Sequence, residues 1–404
     1  MRLDGPSAPI TIRRDRWGVP HLSAATDGDA WFGLGFCHGQ DRAFQLEILL
    51  RAARGRLAEV LGPRAVPVDR LMRRLGVQRS AQAQLAVAAA DVTAVLTAYV
   101  EGVNAAVRRG PRPHELVLLR ARPTPWRASD VLAVAALQSL ALSGNWDSEL
   151  ARLAILEADG PDALRAVDPA YGAWDGAAPT LGATPSDASP LAADMELLAG
   201  LVGVGVGIGA SNNWALAPSR TRGGSALLAN DPHLAPGVPG PWYLAHIETP
   251  EWSLSGASFV GAPSFPIGQN GFAAWGISAG LSDASDLFVV EPGPDGTSVR
   301  SGDELVECDV IDERIGVRGG PAVVERVVVT PWGPLISPVL EGVHRALAVR
   351  AVWLEPHPVR GLLGVARATS FAAFREAFAD WPGPALNVAY ADAAGHVAWQ
   401  LVGR

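Results

Sequence analysis

The chain has 404 residues, 49% hydrophobic and 18% charged, with a formal net charge of −8. That composition describes a globular protein long enough for two ordinary domains or one large layered domain. The acidic balance and the lack of a basic arm argue against a nucleic-acid partner. Lysine is absent, which excludes a Walker-type phosphate loop and a Schiff-base lysine. The only cysteines, Cys37 and Cys308, have no metal-ligand spacing and read as two buried free thiols rather than a disulfide framework. The first residues hold no apolar core of signal-peptide length, and the longest apolar run, 197–210, is short of the ~20 residues that cross a bilayer. The expectation is a soluble chain with no membrane partner and no visible export signal.

In chain order, Ile10 to Asp15 alternates as a half-buried strand and runs into the turn Trp17-Gly18-Val19-Pro20. A turn followed by helix is expected over 27–62, closed by Gly62-Pro63. Within it, His38-Gly39-Gln40-Asp41-Arg42 reads as a polar cluster on the helix surface, with a catalytic role as the alternative. A second helix is expected over 81–107. A third, over 130–158, has Ser129 or Asp130 as its cap and closes at Asp159-Gly160-Pro161. Asn145-Trp146-Asp147-Ser148-Glu149 lies in its middle, where spacing alone reads Glu149 as a solvated position.

Residues 179–190 have linker composition, and Gly203, Gly205, Gly207 and Gly209 alternate with Val and Ile without dinucleotide-loop spacing. This segment reads as a flexible linker, or as a flexible lead-in to a bond that is cut. Beyond it, 213–217 and 226–229 flank the polar turn 219–224 and predict a hairpin. Pairing about that turn sets Ser211 roughly opposite Pro232 and His233. Asp231 stands two residues from His233, but Pro232 between them makes direct pairing awkward. No Gly-x-Ser-x-Gly elbow surrounds Ser211, so a conventional serine triad is the weaker serine reading.

An Asn270-Gly271 turn joins two further strands and leads into Ile277-Ser278-Ala279-Gly280, small residues whose backbone N–H groups suit an oxyanion. Asp283 and Asp286 suit either a hard cation or a solvated acidic turn. Strands are expected through 288–350, and a last hairpin pairs 387–392 with 396–400.

Six segments stand in order: Arg14-Asp15-Arg16-Trp17-Gly18-Val19-Pro20-His21, Gly39-Gln40-Asp41-Arg42-Ala43-Phe44-Gln45, Gly55-Arg56-Leu57-Ala58-Glu59, Ser211-Asn212-Asn213-Trp214, Asn230-Asp231-Pro232-His233 and Gly268-Gln269-Asn270-Gly271. Together they resemble the penicillin acylase family of N-terminal-nucleophile hydrolases. The resemblance implies an α+β fold, a four-layer αββα sandwich, and a precursor that cuts itself. Residues 1–178 would be the mainly helical small chain, 179–210 the spacer, and 211–404 the strand-rich beginning of the large chain.

By the same resemblance, the cut falls between Ala210 and Ser211, and Ser211 becomes the nucleophile. His233 helps hold the serine and its α-amino group, and the Ala279 N–H donates to the oxyanion. Glu149, Asp283, Ser285 and Asp286 bind one structural calcium ion, Ser285 through its carbonyl. Family members continue for some hundreds of residues past this point and carry there an Asn that completes the oxyanion hole and a nearby Arg, so a truncated chain is expected. The implied activity is removal of an acyl group from an N-acyl substrate such as a β-lactam, an acyl homoserine lactone or an acyl peptide. The processed small and large chains would be each other's partners. The alternatives are an inactive binding or assembly fragment and a conventional serine hydrolase. Pocket residues are expected near Asn145-Trp146 and over 259–265.

Overall fold

Two short antiparallel strands, β1 (Thr11–Arg14) and β2 (Pro20–Ser23), open the computed structural model, which describes residues 4–143, 145–167, 211–234, 237–340 and 343–403. The helices that follow are α1 (Asp27–Asp41), α2 (Ala43–Ala53), α3 (Ala58–Leu61), α4 (Val66–Leu75), α5 (Val77–Val87), α6 (Ala90–Arg109), α7 (His114–Leu118), α8 (Ala128–Ser143) and α9 (Trp146–Val167). After residue 210 come β3 (Ser211–Leu216), β4 (Leu227–Pro232), β5 (Trp242–Glu248), β6 (Ser253–Phe259), β7 (Ile267–Gln269), β8 (Ala273–Ala279) and β9 (Ser285–Val290). The chain continues through β10 (Ser298–Ser301), β11 (Glu304–Glu307), β12 (Asp309–Ile315), β13 (Val323–Thr330), β14 (Gly333–Pro334) and β15 (Ala346–Ala351). Helix α10 (Phe371–Ala377) and strands β16 (Leu386–Asp392) and β17 (Val397–Val402) complete it.

Each long helix expected from the sequence is divided. Arg42, at φ −132°, separates α1 from α2, and extended Ala88 and Ala89 separate α5 from α6. The helix expected over 130–158 breaks between α8 and α9, so Asn145 sits at the break and not within a helix. Gly160, at φ 81°, leaves helical geometry where closure was expected. The first turn of α8 is held by Asp130, whose carboxylate accepts from the Arg127 N–H at 2.6 Å and pairs with Arg54 at 2.6 Å, as a residue in the third helical position does in a capping box. Helices α1 and α6 cross closely: a Cβ added at Gly102 would lie 2.0 Å from the Phe32 carbonyl oxygen.

The main sheet has eight strands in the order β1-β2-β5-β6-β7-β8-β16-β17, antiparallel except for the parallel β2–β5 pair. It therefore unites strands from before residue 168 with strands from after residue 210. Tyr243, Ala245 and Ile247 alternate inward on β5, and cross-strand register carries that face to Trp275 and Tyr390. Phe374 of α10 packs there, with ring centroids 5.7 Å from Trp275 and 5.0 Å from Tyr390. The β3–β4 hairpin lies on the opposite face, over β8 and β16. The α+β class stands, and among the described residues the layers are helices, the eight-stranded sheet and this two-stranded hairpin. Strands β12–β14 pack against α4, where Glu313 meets Arg73 and Arg79, and Glu325 meets Arg70 and Arg74.

His38 is not part of a surface cluster: it is fully buried where α1 and α6 meet the sheet. The Ser258 hydroxyl donates to the Tyr243 carbonyl at 2.8 Å, so it accepts from His38 Nε2–H at 3.0 Å. Nδ1 then accepts from the Tyr99 hydroxyl at 2.8 Å, whose oxygen in turn accepts from the Gly261 N–H at 3.2 Å. Every polar atom of this chain is satisfied with a neutral imidazole, and burial pushes the His38 pKa down to about 3. The unfolded chain, with an ordinary histidine near pH ~6.5, binds the proton more readily. Stability is therefore full above that pH and falls as the pH drops toward the folded value. One unit below ~6.5 the loss attributable to His38 approaches about 1.4 kcal/mol. We expect His38→Asn to be less stable near neutrality but to lose this component of the slope between about pH 6.5 and about pH 5. Urea midpoints of both proteins across that range check it, and identical slopes reject it.

Candidate active site

The β3–β4 hairpin forms where it was expected. Its register pairs Ser211 with Pro232 and Asn213 with Asn230. Ser211 Oγ accepts from the His233 backbone N–H at 3.3 Å. The imidazole itself points elsewhere, with Nε2 2.9 Å from Asp231 Oδ2. This corrects the expectation that Pro232 keeps those side chains apart: in extended backbone, residues two apart share a face, so the proline holds them on the same side. The Asp–His pair is real, but its ring is turned to the aspartate and only a backbone N–H meets the serine.

Two side-chain amides, of Asn213 and Asn230, fasten the hairpin to the sheet, and a third, of Asn387, ties β16 to β8 and β17 within it. Asn213 Nδ2 donates to the carbonyls of Gly276 (3.1 Å) and Asn387 (2.9 Å). Asn230 Nδ2 donates to Ile277 (2.8 Å) and Asn212 (2.9 Å), and its Oδ1 accepts from the Ile277 N–H at 2.9 Å. Asn387 Nδ2 donates to the Ala279 carbonyl at 2.9 Å, and its Oδ1 accepts from Trp399 Nε1 at 3.1 Å. A Cβ at Gly276 would lie 2.6 Å from Asn230 Cβ, so the approach needs that glycine. Sequence reading missed these roles. The available signal was three asparagines inside strands, where asparagine is depleted.

The same ladder orients Ala279. The Gly280 N–H donates to the Ala385 carbonyl at 2.8 Å. Bonds alternate sides along an antiparallel strand, so the Ala279 N–H points to the other edge of β8, the edge where Asn230 receives the Ile277 N–H. Ser211, His233 and Ala279 all line one cavity of about 160 Å³, with Leu142, Trp242, Phe259, Ile277, Trp353 and Leu386 among its apolar walls. Phe259, Ala262 and Ser264 line it as expected, whereas Asn145 and Trp146 turn toward Asp283 and Ser285. The Ala210–Ser211 bond, the spacer 179–210 and its glycine alternation fall outside the described residues.

Glu149, Asp283 and Asp286 come together, each offering a carboxylate oxygen within 4.8 Å of the others. Glu149 is half-buried rather than solvated. Its Oε2 accepts from the Leu287 N–H at 2.6 Å, while Oε1 is buried with no hydrogen-bond partner. Burial, with Asp286 and Asp283 close by, holds its pKa above the usual carboxylate range against the opposing pull of that N–H. Three acidic groups with an orphaned inward oxygen fit a hard cation. The Ser285 hydroxyl is engaged with Trp146 Nε1 (3.1 Å) and Asn145 Oδ1 (3.2 Å), which leaves its carbonyl as the atom it has to offer.

Asn230→Ala removes three hydrogen bonds and strands the Ile277 N–H and carbonyl. We expect it to cost about 1–3 kcal/mol of stability, read as a lower urea midpoint, and an unchanged midpoint refutes the clamp.

The chain is 36% identical over 366 residues to the penicillin acylase 2 proenzyme of Pseudomonas sp. (strain SE83), a match covering 87% of this chain and 46% of that one. It is 30% identical over 433 residues to the acyl-homoserine lactone acylase QuiP of Pseudomonas aeruginosa, covering 100% of this chain and 50% of that one. The thermostable penicillin G acylase from Alcaligenes faecalis, in its orthorhombic form, superposes with a TM-score of 0.43 at 21% identity over 48% of this chain and 35% of that chain. The chain spans about half the length of the curated relatives it matches. The penicillin amidase family model matches residues 9–404, and the chain belongs to that family.

Proposed function

We propose that the protein is an acyl-amide hydrolase whose nucleophile is Ser211, freed as an N-terminal residue by cleavage of the Ala210–Ser211 bond. The observation that carries this is the setting of the serine. Its hydroxyl lies on the wall of an apolar cavity it shares with Ala279, and among the described residues no side-chain base is hydrogen-bonded to it. A serine hydroxyl needs an adjacent base. A freed α-amino group has a pKa of ~7.7–8.0, so a useful fraction is neutral at physiological pH. Before cleavage that nitrogen is an amide and cannot take a proton, so the cut switches the site on. Ser211 Oγ then attacks the acyl carbonyl as its proton passes to the amino group. The Ala279 N–H donates to the oxyanion, the proton goes to the leaving amine, and water hydrolyses the ester. The His233 backbone N–H holds the serine oxygen in place. The rival serine triad is disfavoured because the imidazole is committed to Asp231.

The substrate is an N-acyl compound such as a β-lactam, an acyl homoserine lactone or an acyl peptide. A cavity of about 160 Å³ is the size that admits a benzene ring, room for an acyl group of that order. The processed small and large chains are each other's partners. Glu149, Asp283 and Asp286, with the Ser285 carbonyl, would hold one structural calcium ion, tying α9 to β9 across the proposed cut.

The purified full chain is expected to split into two polypeptides by intact mass, and Ser211→Ala to stay whole. A wild-type protein that remains uncleaved yet hydrolyses amides overturns the reading. An inert, uncleaved wild type would favour the binding-fragment alternative. For the ion, calcium at about 100-fold above its Kd should add about 2.7 kcal/mol of stability. Chelation should reverse that gain, and Glu149→Gln should remove the response. A melting temperature indifferent to calcium in the wild type refutes the assignment.

A further inference from the structure

The cavity beside Ser211 has a polar feature that the proposed chemistry does not use. Gln84 of α5 lines it, is only 7% exposed, and makes no side-chain hydrogen bond among the described residues. Gln138, on the packed neighbour α8, lines the same cavity, and its Nε2 is buried without a partner. Both amides sit in the helical wall, whereas Ser211, His233 and Ala279 belong to the strand wall. A buried amide nitrogen without a partner, as Gln138 Nε2 is, keeps its desolvation cost until something hydrogen-bonds to it.

We propose that the helical wall recognises a neutral hydrogen-bonding group on the acyl chain, a hydroxyl, keto or amide, through Gln84 with Gln138 beside it. This rests on the acylase reading for its substrate and deepens it by naming the acyl class. An amide offers two donors and an acceptor without charge, so it pairs with any of those groups. Among the described residues no Arg, Asp or Glu lines the cavity, so a carboxylate at the far end of the acyl chain would be desolvated without a counter-ion and is rejected. A plain alkyl chain of the same length leaves the glutamine unpaired. Sites built to hydrogen-bond a substrate group discriminate strongly against analogues that lack it.

The test uses the full chain and two probe acids, hexanoic acid and its terminally hydroxylated counterpart, with the matching anilides for turnover. Calorimetry is expected to show the hydroxylated acid binding about 10-fold or more tightly. Gln84→Leu should lose that preference while still binding hexanoic acid, which also reports that it is folded. Gln84→Met, closer in shape, serves if the leucine variant does not fold. Equal binding of the two acids, or tighter binding of the alkyl acid, overturns the inference. So does a preference that survives in the Gln84 variants. A binding preference that depends on Gln84 while neither anilide is hydrolysed upholds this inference and refutes the acylase reading, so the two failures are distinct.

Discussion

The site depends on amide side chains bonded to strand backbones. Hairpin β3–β4 contributes no strand to the main sheet and is joined to it by the side chains of Asn213 and Asn230. Four of their bonds go to peptide groups of β8 or β16, so the hairpin's position is set by backbone geometry and not by packing alone. Asn230 receives an N–H and donates to a carbonyl of the same residue, Ile277, which is how a neighbouring strand would bond it. Beyond β7, which pairs with β8 only at Ala274 and Trp275, that edge of β8 is free to take such a partner. The Ala279 N–H points to the same edge.

Charge is kept away from the cavity beside Ser211 and concentrated elsewhere. The cavity is lined by apolar side chains, neutral amides and hydroxyls, with His233 its one ionisable side chain among the described residues. In such a setting a carboxylate would need its own counter-ion after desolvation. Carboxylates instead gather at Glu149, Asp283 and Asp286. Deeper in the helix–sheet interface, His38 is kept neutral by burial and held at both ring nitrogens.

Residues before 168 and after 210 are joined at several independent places. Strand β2 pairs with β5, α1 binds β6 through His38 and Ser258, and Glu149 meets the N–H of Leu287. Arg42 donates to the carbonyls of Gly240 (3.0 Å) and Trp242 (3.4 Å), anchoring the entry to β5. All of these contacts lie outside 168–210, and the two segments share one sheet.

Local pattern made part of this readable. The hairpin about 219–224, the Asn270-Gly271 turn, the last hairpin and the pairing of Ser211 with Pro232 all follow from turn chemistry and two-residue periodicity, which act over a few residues. The ordered motifs also indicated the family, because they stand at matching places along the whole chain. Tertiary structure decided the rest. Whether His38 faces water, whether Glu149 meets Asp283 and Asp286, and which way the His233 ring turns depend on elements distant in the chain. Long apolar helices were read as continuous, since periodicity does not record where a crossing forces a break, as at Arg42 and between α8 and α9. The strand asparagines show the division most plainly: the sequence displays residues ill suited to strands, and only the packing of the hairpin on β8 and β16 supplies the sheet backbone groups that Asn213 and Asn230 bind.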